Sequence, residues 1–178
     1  MPQDRVERLV EDLGRLRPEI DAVTKEVAAR LLHLSDLVER YYEDVCERYD
    51  VSLSGMGVLT ALARSAPREL TLAELNRDIL VTSGGITFVA ARLERQGLLV
   101  KRSNPSDGRA VLVQLTRRGR RVADELIGDI ARADADALGS LGSRDLSAIN
   151  SLLKSLESRF DSTMTTRHDA APTRRPIT

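Results

Sequence analysis

Apolar residues recur at helical spacing from the start of the chain. Val6, Leu9, Val10, Leu13 and Leu16 form one stripe over residues 3–16, and Gly14 and Pro18 predict its break. A longer helix follows from about Glu19 to Tyr49, with Ile20, Val23, Val27, Leu31, Leu34, Val38, Tyr41 and Val45 on one face. That face is too long for a small domain to cover, so part of it is expected against a second subunit. Ser52 or Ser54 caps a third helix through Met56, Val58, Leu59 and Leu62 to about Ser65, and Pro67 ends it.

The middle of the chain changes period. Thr71-Leu72-Ala73-Glu74 reads as a capping box that opens a short helix ending near Ile79. Val81-Thr82-Ser83 is the turn into a second helix, about Gly84 to Gln96, which turns Ile86, Val89 or Ala90, and Leu93 inward and stops at Gly97. Alternation then replaces helical spacing. Leu98–Ser103 and Arg109–Leu115 read as two strands around the polar tip Asn104-Pro105-Ser106-Asp107-Gly108. An isolated hairpin is marginal in water, so this one must lean on the helix-turn-helix before it, which makes a winged helix. Thr116 caps a long helix to about Leu138, Gly139 and Gly142 break it, and Ser143 caps a last helix through Leu146, Ile149, Leu152, Leu153, Leu156 and Phe160. The tail from Thr163 has little apolar content and is expected to be disordered.

The predicted fold is therefore mostly α with a small β wing: a winged helix-turn-helix whose N- and C-terminal helices form a dimerisation stem. Its expected parts are residues 1–50 (dimerisation), 51–121 (DNA binding), 122–162 (dimerisation) and a tail over 163–178.

A formal net charge of zero over 178 residues argues at first against a nucleic-acid partner. The average hides a partition. Residues 92–121 carry nine basic and two acidic side chains, residues 1–50 and 122–163 are net acidic, and 51–91 are neutral. One basic block between acidic flanks is a local electrostatic footprint. No apolar run approaches the roughly 18 residues of a membrane span, and no signal-peptide pattern opens the chain, so a soluble cytoplasmic protein without membrane contact is expected. One cysteine, Cys46, fits a reducing compartment. His33, His168 and Cys46 are too dispersed to predict a metal site, and no cofactor is expected. No nucleophile–base set, carboxylate pair or phosphate loop points to an enzyme.

If Ile86, Ala90 and Leu93 face inward, Ser83, Gly84, Thr87, Phe88, Ala91, Arg92 and Arg95 face outward or flank that side. Gly84 and Gly85 let the backbone approach a phosphate closely, Thr87 can donate a hydrogen bond, and Phe88 can touch a thymine methyl or fold back on the core. On the hairpin, Arg109 is placed to enter a minor groove, with Asp107 bracing it or pairing with Arg102. Lys101, Arg102, Arg117, Arg118, Arg120 and Arg121 read as phosphate contacts or steering charge.

The segments LSGMGVLTALAR, LTLAELNRDILVTSGGITFVAARLERQGLLVKR and NPSDGRAVLVQLTRRGR, together covering about residues 30–160 with their surroundings, resemble the MarR family of bacterial transcriptional regulators. The resemblance implies a non-enzymatic homodimer of winged helices on a pseudo-palindromic operator of double-stranded DNA, repressing until a small aromatic or phenolic effector, or an oxidant, releases it. ILVTSGGIT is similar to the branch that includes urate-responsive regulators. The chain departs from that branch: it has no tryptophan, and Gly57 stands where an acidic residue is usual, so the effector site is not retained. Phe88-Val89 replaces the usual basic pair, and Asp107-Gly108-Arg109 replaces Asp-Arg-Arg. In such a dimer the effector crevice lies between stem and winged unit, where His33, Asp36, Arg40, Tyr41 and Arg64 are the polar candidates. Two alternatives stand beside this reading: a winged helix that docks protein, and a redox-sensing regulator using Cys46.

Overall fold

A computed structural model describes residues 4–66, 69–79, 85–105 and 107–169, the side chains of 107–109 and 167–169 excepted. The chain divides into two compact units, Met1–Ala133 and Asp134–Thr178.

In the first unit, α1 (Arg5–Leu16) is capped by Asp4, which accepts from the Val6 amide at 2.9 Å. The helix runs through Gly14, where the pattern predicts a break; a side chain there would meet nothing within 4 Å. Asp21 caps α2 (Ala22–Glu47) by accepting from the Thr24 amide. Val6, Val10 and Ala29 form a small apolar contact between the two helices. Arg30 reinforces it through Asp4 and Glu26, both at 2.7 Å. Ser52, rather than Ser54, caps α3 (Leu53–Ser65) through the Gly55 amide.

The Thr71–Glu74 capping box is formed in both directions at the start of α4 (Leu72–Asp78). Immediately before it lies a two-residue strand, β1 (Leu70–Thr71), too short to show a period in the sequence. The hairpin strands are β2 (Leu99–Asn104) and β3 (Asp107–Leu115), each shifted by one or two residues from the predicted limits. The sheet is antiparallel in the order β1-β3-β2, with Leu70 opposite Val113 and Lys101 opposite the same Val113.

One core joins these elements. Val45 and Cys46 of α2, Val58, Leu59 and Leu62 of α3, Leu75, Leu93, Leu99 and Val113 pack with Ala123 and Leu126 of α6 (Arg117–Leu138). Buried apolar surface is thus shared across positions 50 and 121, so the winged helix is built onto the end of α2 and the start of α6. The first turn of α6 depends on Gly119: a Cβ there would lie 1.7 Å from the Leu98 carbonyl oxygen. Thr116 caps it, accepting from the Gly119 amide at 2.9 Å while donating to the Gly97 carbonyl at 2.7 Å.

The second unit holds the end of α6 and α7 (Ser143–Asp169). The helix corrects the expected disorder from Thr163. Ser162, Thr163, Thr165 and Thr166 donate their hydroxyls to carbonyls three or four residues back, so these side chains bond to the helix they stand on. The rest of the expected tail, 170–178, lies outside the described residues. Among the described residues no helix is long and apolar enough to cross a membrane.

Candidate nucleic-acid interface

The second helix of the helix-turn-helix is α5 (Ile86–Arg95), which starts two residues later than predicted. Val89, Ala90 and Leu93 are buried and Ile86 is partly buried against the core, so both alternatives, Val89 and Ala90, face inward. At 100° per residue the opposite line is Phe88, Ala91 and Arg95, with Thr87 and Arg92 on its two flanks. Phe88 is 69% exposed, which removes the reading of a ring folded into the core. Gly85 precedes the helix in the left-handed region, φ 61°, a conformation costly for residues with a Cβ. Its carbonyl accepts from the Phe88 and Val89 amides, and among the described residues no side chain caps α5. The first amides of the helix therefore lack a side-chain acceptor, as a phosphate-facing terminus requires. Ser83 and Gly84 lie outside the described residues.

Three cations assigned to DNA by the sequence are held by acids. Arg92 donates to Asp50 Oδ1 at 2.9 Å. Lys101 lies 3.0 Å from Glu94. Arg102 donates from Nε to both Glu69 oxygens at 2.8 and 2.9 Å and also pairs through its Nη2, and this carboxylate raises the guanidinium pKa. Arg102 is therefore engaged by Glu69, where the sequence suggests Asp107. Asp50, Glu69 and Glu94 were not among the candidates. Partners 42 and 33 positions apart leave no local signal, while Glu94–Lys101 straddles a helix end and a strand start.

Arg95 is exposed and makes no ion pair among the described residues. Arg117 and Arg120 are exposed at the start of α6, whereas Arg118 donates to the Gln96 carbonyl at 2.7 Å. Asp107, Gly108 and Arg109 lie on β3, and their side chains are outside the description.

The effector candidates do not converge on one cavity. His33 lines an apolar groove of about 410 Å³ on α2 with Val27, Leu31, Leu34 and Leu37. Asp36 and Arg40 pair with each other at 2.8 Å, and Tyr41 donates to the Ala133 carbonyl at 3.0 Å. Arg64 lines a different cavity, with Ala61, Ser65 and Asp78, and donates to the Asp78 carbonyl at 3.3 Å. Cys46 is 1% exposed, and burial, aided by Glu43, pushes its thiol up to about 11. A thiol held neutral and covered is a poor oxidant sensor. Among the described residues no cluster of three ligating side chains could hold a metal ion.

Residues 49–110 match the family model described as MarR family. The HTH-type transcriptional regulator PecS of Dickeya dadantii (strain 3937) is 24% identical over 153 residues, covering 85% of this chain and 92% of that protein. Among solved structures, a MarR-like transcription regulator from Bacillus cereus ATCC 10987 superposes with a TM-score of 0.71 at 20% identity, over 78% of this chain and 99% of that one. The S. aureus MepR–DNA complex gives 0.68 at 15% identity, over 74% and 96%. These matches support the family and lend nothing to the urate-responsive branch. In its winged helix-turn-helix and in its sequence over that same region, the chain is similar to MarR-family transcriptional regulators.

Proposed function

We propose that the protein is a sequence-specific repressor that binds a pseudo-palindromic operator as a homodimer, reading the major groove with α5 and a flanking groove with the wing. The observation that carries this reading is the outward line of α5. A side chain as apolar as Phe88 is left in solvent one turn from a helix start that, among the described residues, has no side-chain cap, on the same line as Arg95, which makes no ion pair among them. A helix entering the major groove presents its N-terminal residues to base edges, where Phe88 meets thymine methyls and Thr87 and Arg95 supply donors. Arg109, on the wing, is assigned to the minor groove, and Ser83, Gly84 and Gly85 to the phosphate beside α5. The MepR neighbour, solved with DNA, supports this use of the fold.

Dimerisation is supported by the apolar side chains left in water. Val23 and Leu32 of α2 are more than 70% exposed, and Leu152 and Phe160 of α7 more than half exposed. A second copy is the occupant that closed two-fold assembly provides. Release by a small aromatic or phenolic ligand fits the His33 groove, whose Val27, Leu31, Leu34 and Leu37 walls suit a ring.

Selection of bound fragments from genomic DNA, followed by a titration across salt concentrations, tests the reading. A two-fold symmetric site bound by a dimer, weakening steeply with salt, is the expected result. Failure to select any duplex overturns it. A dimer that binds no duplex but captures a protein would favour the docking alternative.

A further inference from the structure

We infer that Glu69, with Glu94 and Asp50, determines specificity by competing with DNA phosphate for the cations beside the reading face. This rests on the DNA-binding reading above and adds residues to which neither the fold nor the charge pattern assigns a role.

The sheet register explains how Glu69 reaches its partner. Arg102 of β2 lies opposite Leu112 of β3, and Leu112 lies opposite Thr71 of β1. The Arg102 side chain crosses the central strand in that row and meets Glu69, two residues before Thr71. The Glu69 side chain is only 15% exposed, whereas Arg102 is 55% exposed, so the acid is fixed and the base presents a neutralised edge. Lys101 points to the other face of β2, as alternation requires, and meets Glu94 on α5. At the same C-terminal end of α5, Asp50 is held at φ 52° and gathers both Arg92 and Gln96.

Non-specific DNA binding is almost wholly counterion release, about 0.9 in the logarithmic salt slope for each phosphate neutralised. A cation already paired with a fixed carboxylate contributes little to that term. Base-edge contacts by α5 do not depend on it to the same degree. The three acids therefore lower affinity for random DNA more than for the operator. Within residues 92–121 this leaves Arg95, Arg117 and Arg120 exposed and without an ion pair among the described residues, beside Arg118, which donates to the Gln96 carbonyl.

Fluorescence anisotropy with a random-sequence duplex, between about 50 and 200 mM salt, tests this on the full-length protein. Glu69→Gln is expected to bind the random duplex about five- to tenfold tighter near 0.1 M salt and to steepen the slope by about 0.9, the yield of one added phosphate contact. The gain is expected to vanish when Arg102→Ala is added. Unchanged affinity overturns the inference, and so does a gain that persists without Arg102, which would be the general field of one lost carboxylate. If Glu69→Gln unfolds the wing, Glu94→Gln and Asp50→Asn test the same competition through Lys101 and Arg92. Absence of tightening in both overturns it. A wild-type protein that binds no duplex overturns the DNA-binding reading as well, whereas one that binds while the variants do not differ from it overturns this inference alone.

Discussion

Arg92 donates to the Asp50 carboxylate at 2.9 Å, and this contact ties the last turn of α5 to the junction between α2 and α3. Gln96 donates to the Asp50 carbonyl and carboxylate as well, at 2.6 and 3.0 Å. Arg92 thereby belongs to the support of the reading helix, and Arg95 is the cation on its outward line. Arg95→Ala is expected to weaken operator binding by about 1–3 kcal/mol, while Arg92→Ala costs under about 1 kcal/mol in stability and little in affinity. Parallel anisotropy titrations check the order; equal losses would mean that Arg92 leaves Asp50 for DNA.

Phe88 is exposed on the outward line of α5, so its replacement reports directly on the proposed DNA face. Phe88→Arg is expected to raise affinity for random DNA and to steepen the salt slope by about 0.9. Coincident slopes for the two proteins would place Phe88 away from the duplex.

The proposed function gives Arg109 a minor-groove contact. Arg109→Ala is expected to cost about 1–3 kcal/mol of operator affinity and to leave dimerisation unchanged in sedimentation. Unaltered affinity would remove the wing from sequence recognition.

The closeness of Gly119 to the Leu98 carbonyl makes a structural prediction independent of function. Gly119→Ala places a methyl where the backbone already stands, so α6 must shift from β2. A loss of about 3 kcal/mol is expected in urea unfolding. Near-wild-type stability would show that α6 does not start against Leu98.

Burial holds the Cys46 thiol neutral up to about 11, against an ordinary value of 9.0. The folded protein thus retains a proton that the unfolded chain loses first, and stability is expected to fall as pH rises from about 9 to 11. Cys46→Ala should flatten that part of the pH profile. At neutral pH, native Cys46 is expected to resist maleimide labelling and peroxide, and to react once urea unfolds the chain. Rapid labelling of the native protein would restore the redox-sensing alternative.

Some of this architecture is fixed by short-range rules and was therefore legible in the sequence. The Thr71–Glu74 box and the Thr116 cap need only three residues each, and the hairpin announces itself by alternation around a polar tip. The inward face of α5 follows from helical spacing alone. The strand β1 was not legible, because two residues carry no period and exist as a strand only by pairing with Val113 and Leu112. Helical propensity at the end of α7 was masked by its polar composition, since hydroxyl back-bonding depends on the helix already being formed. The sequence also located the basic block, but charge along a chain says nothing about which cations are already neutralised. Arg102 meets Glu69 only because three strands pair in one register, and Arg92 meets Asp50 only because the core sets α5 against the end of α2. Local rules thus determined the elements and the reading face, while packing across 33 and 42 positions decided which basic side chains remain available to DNA.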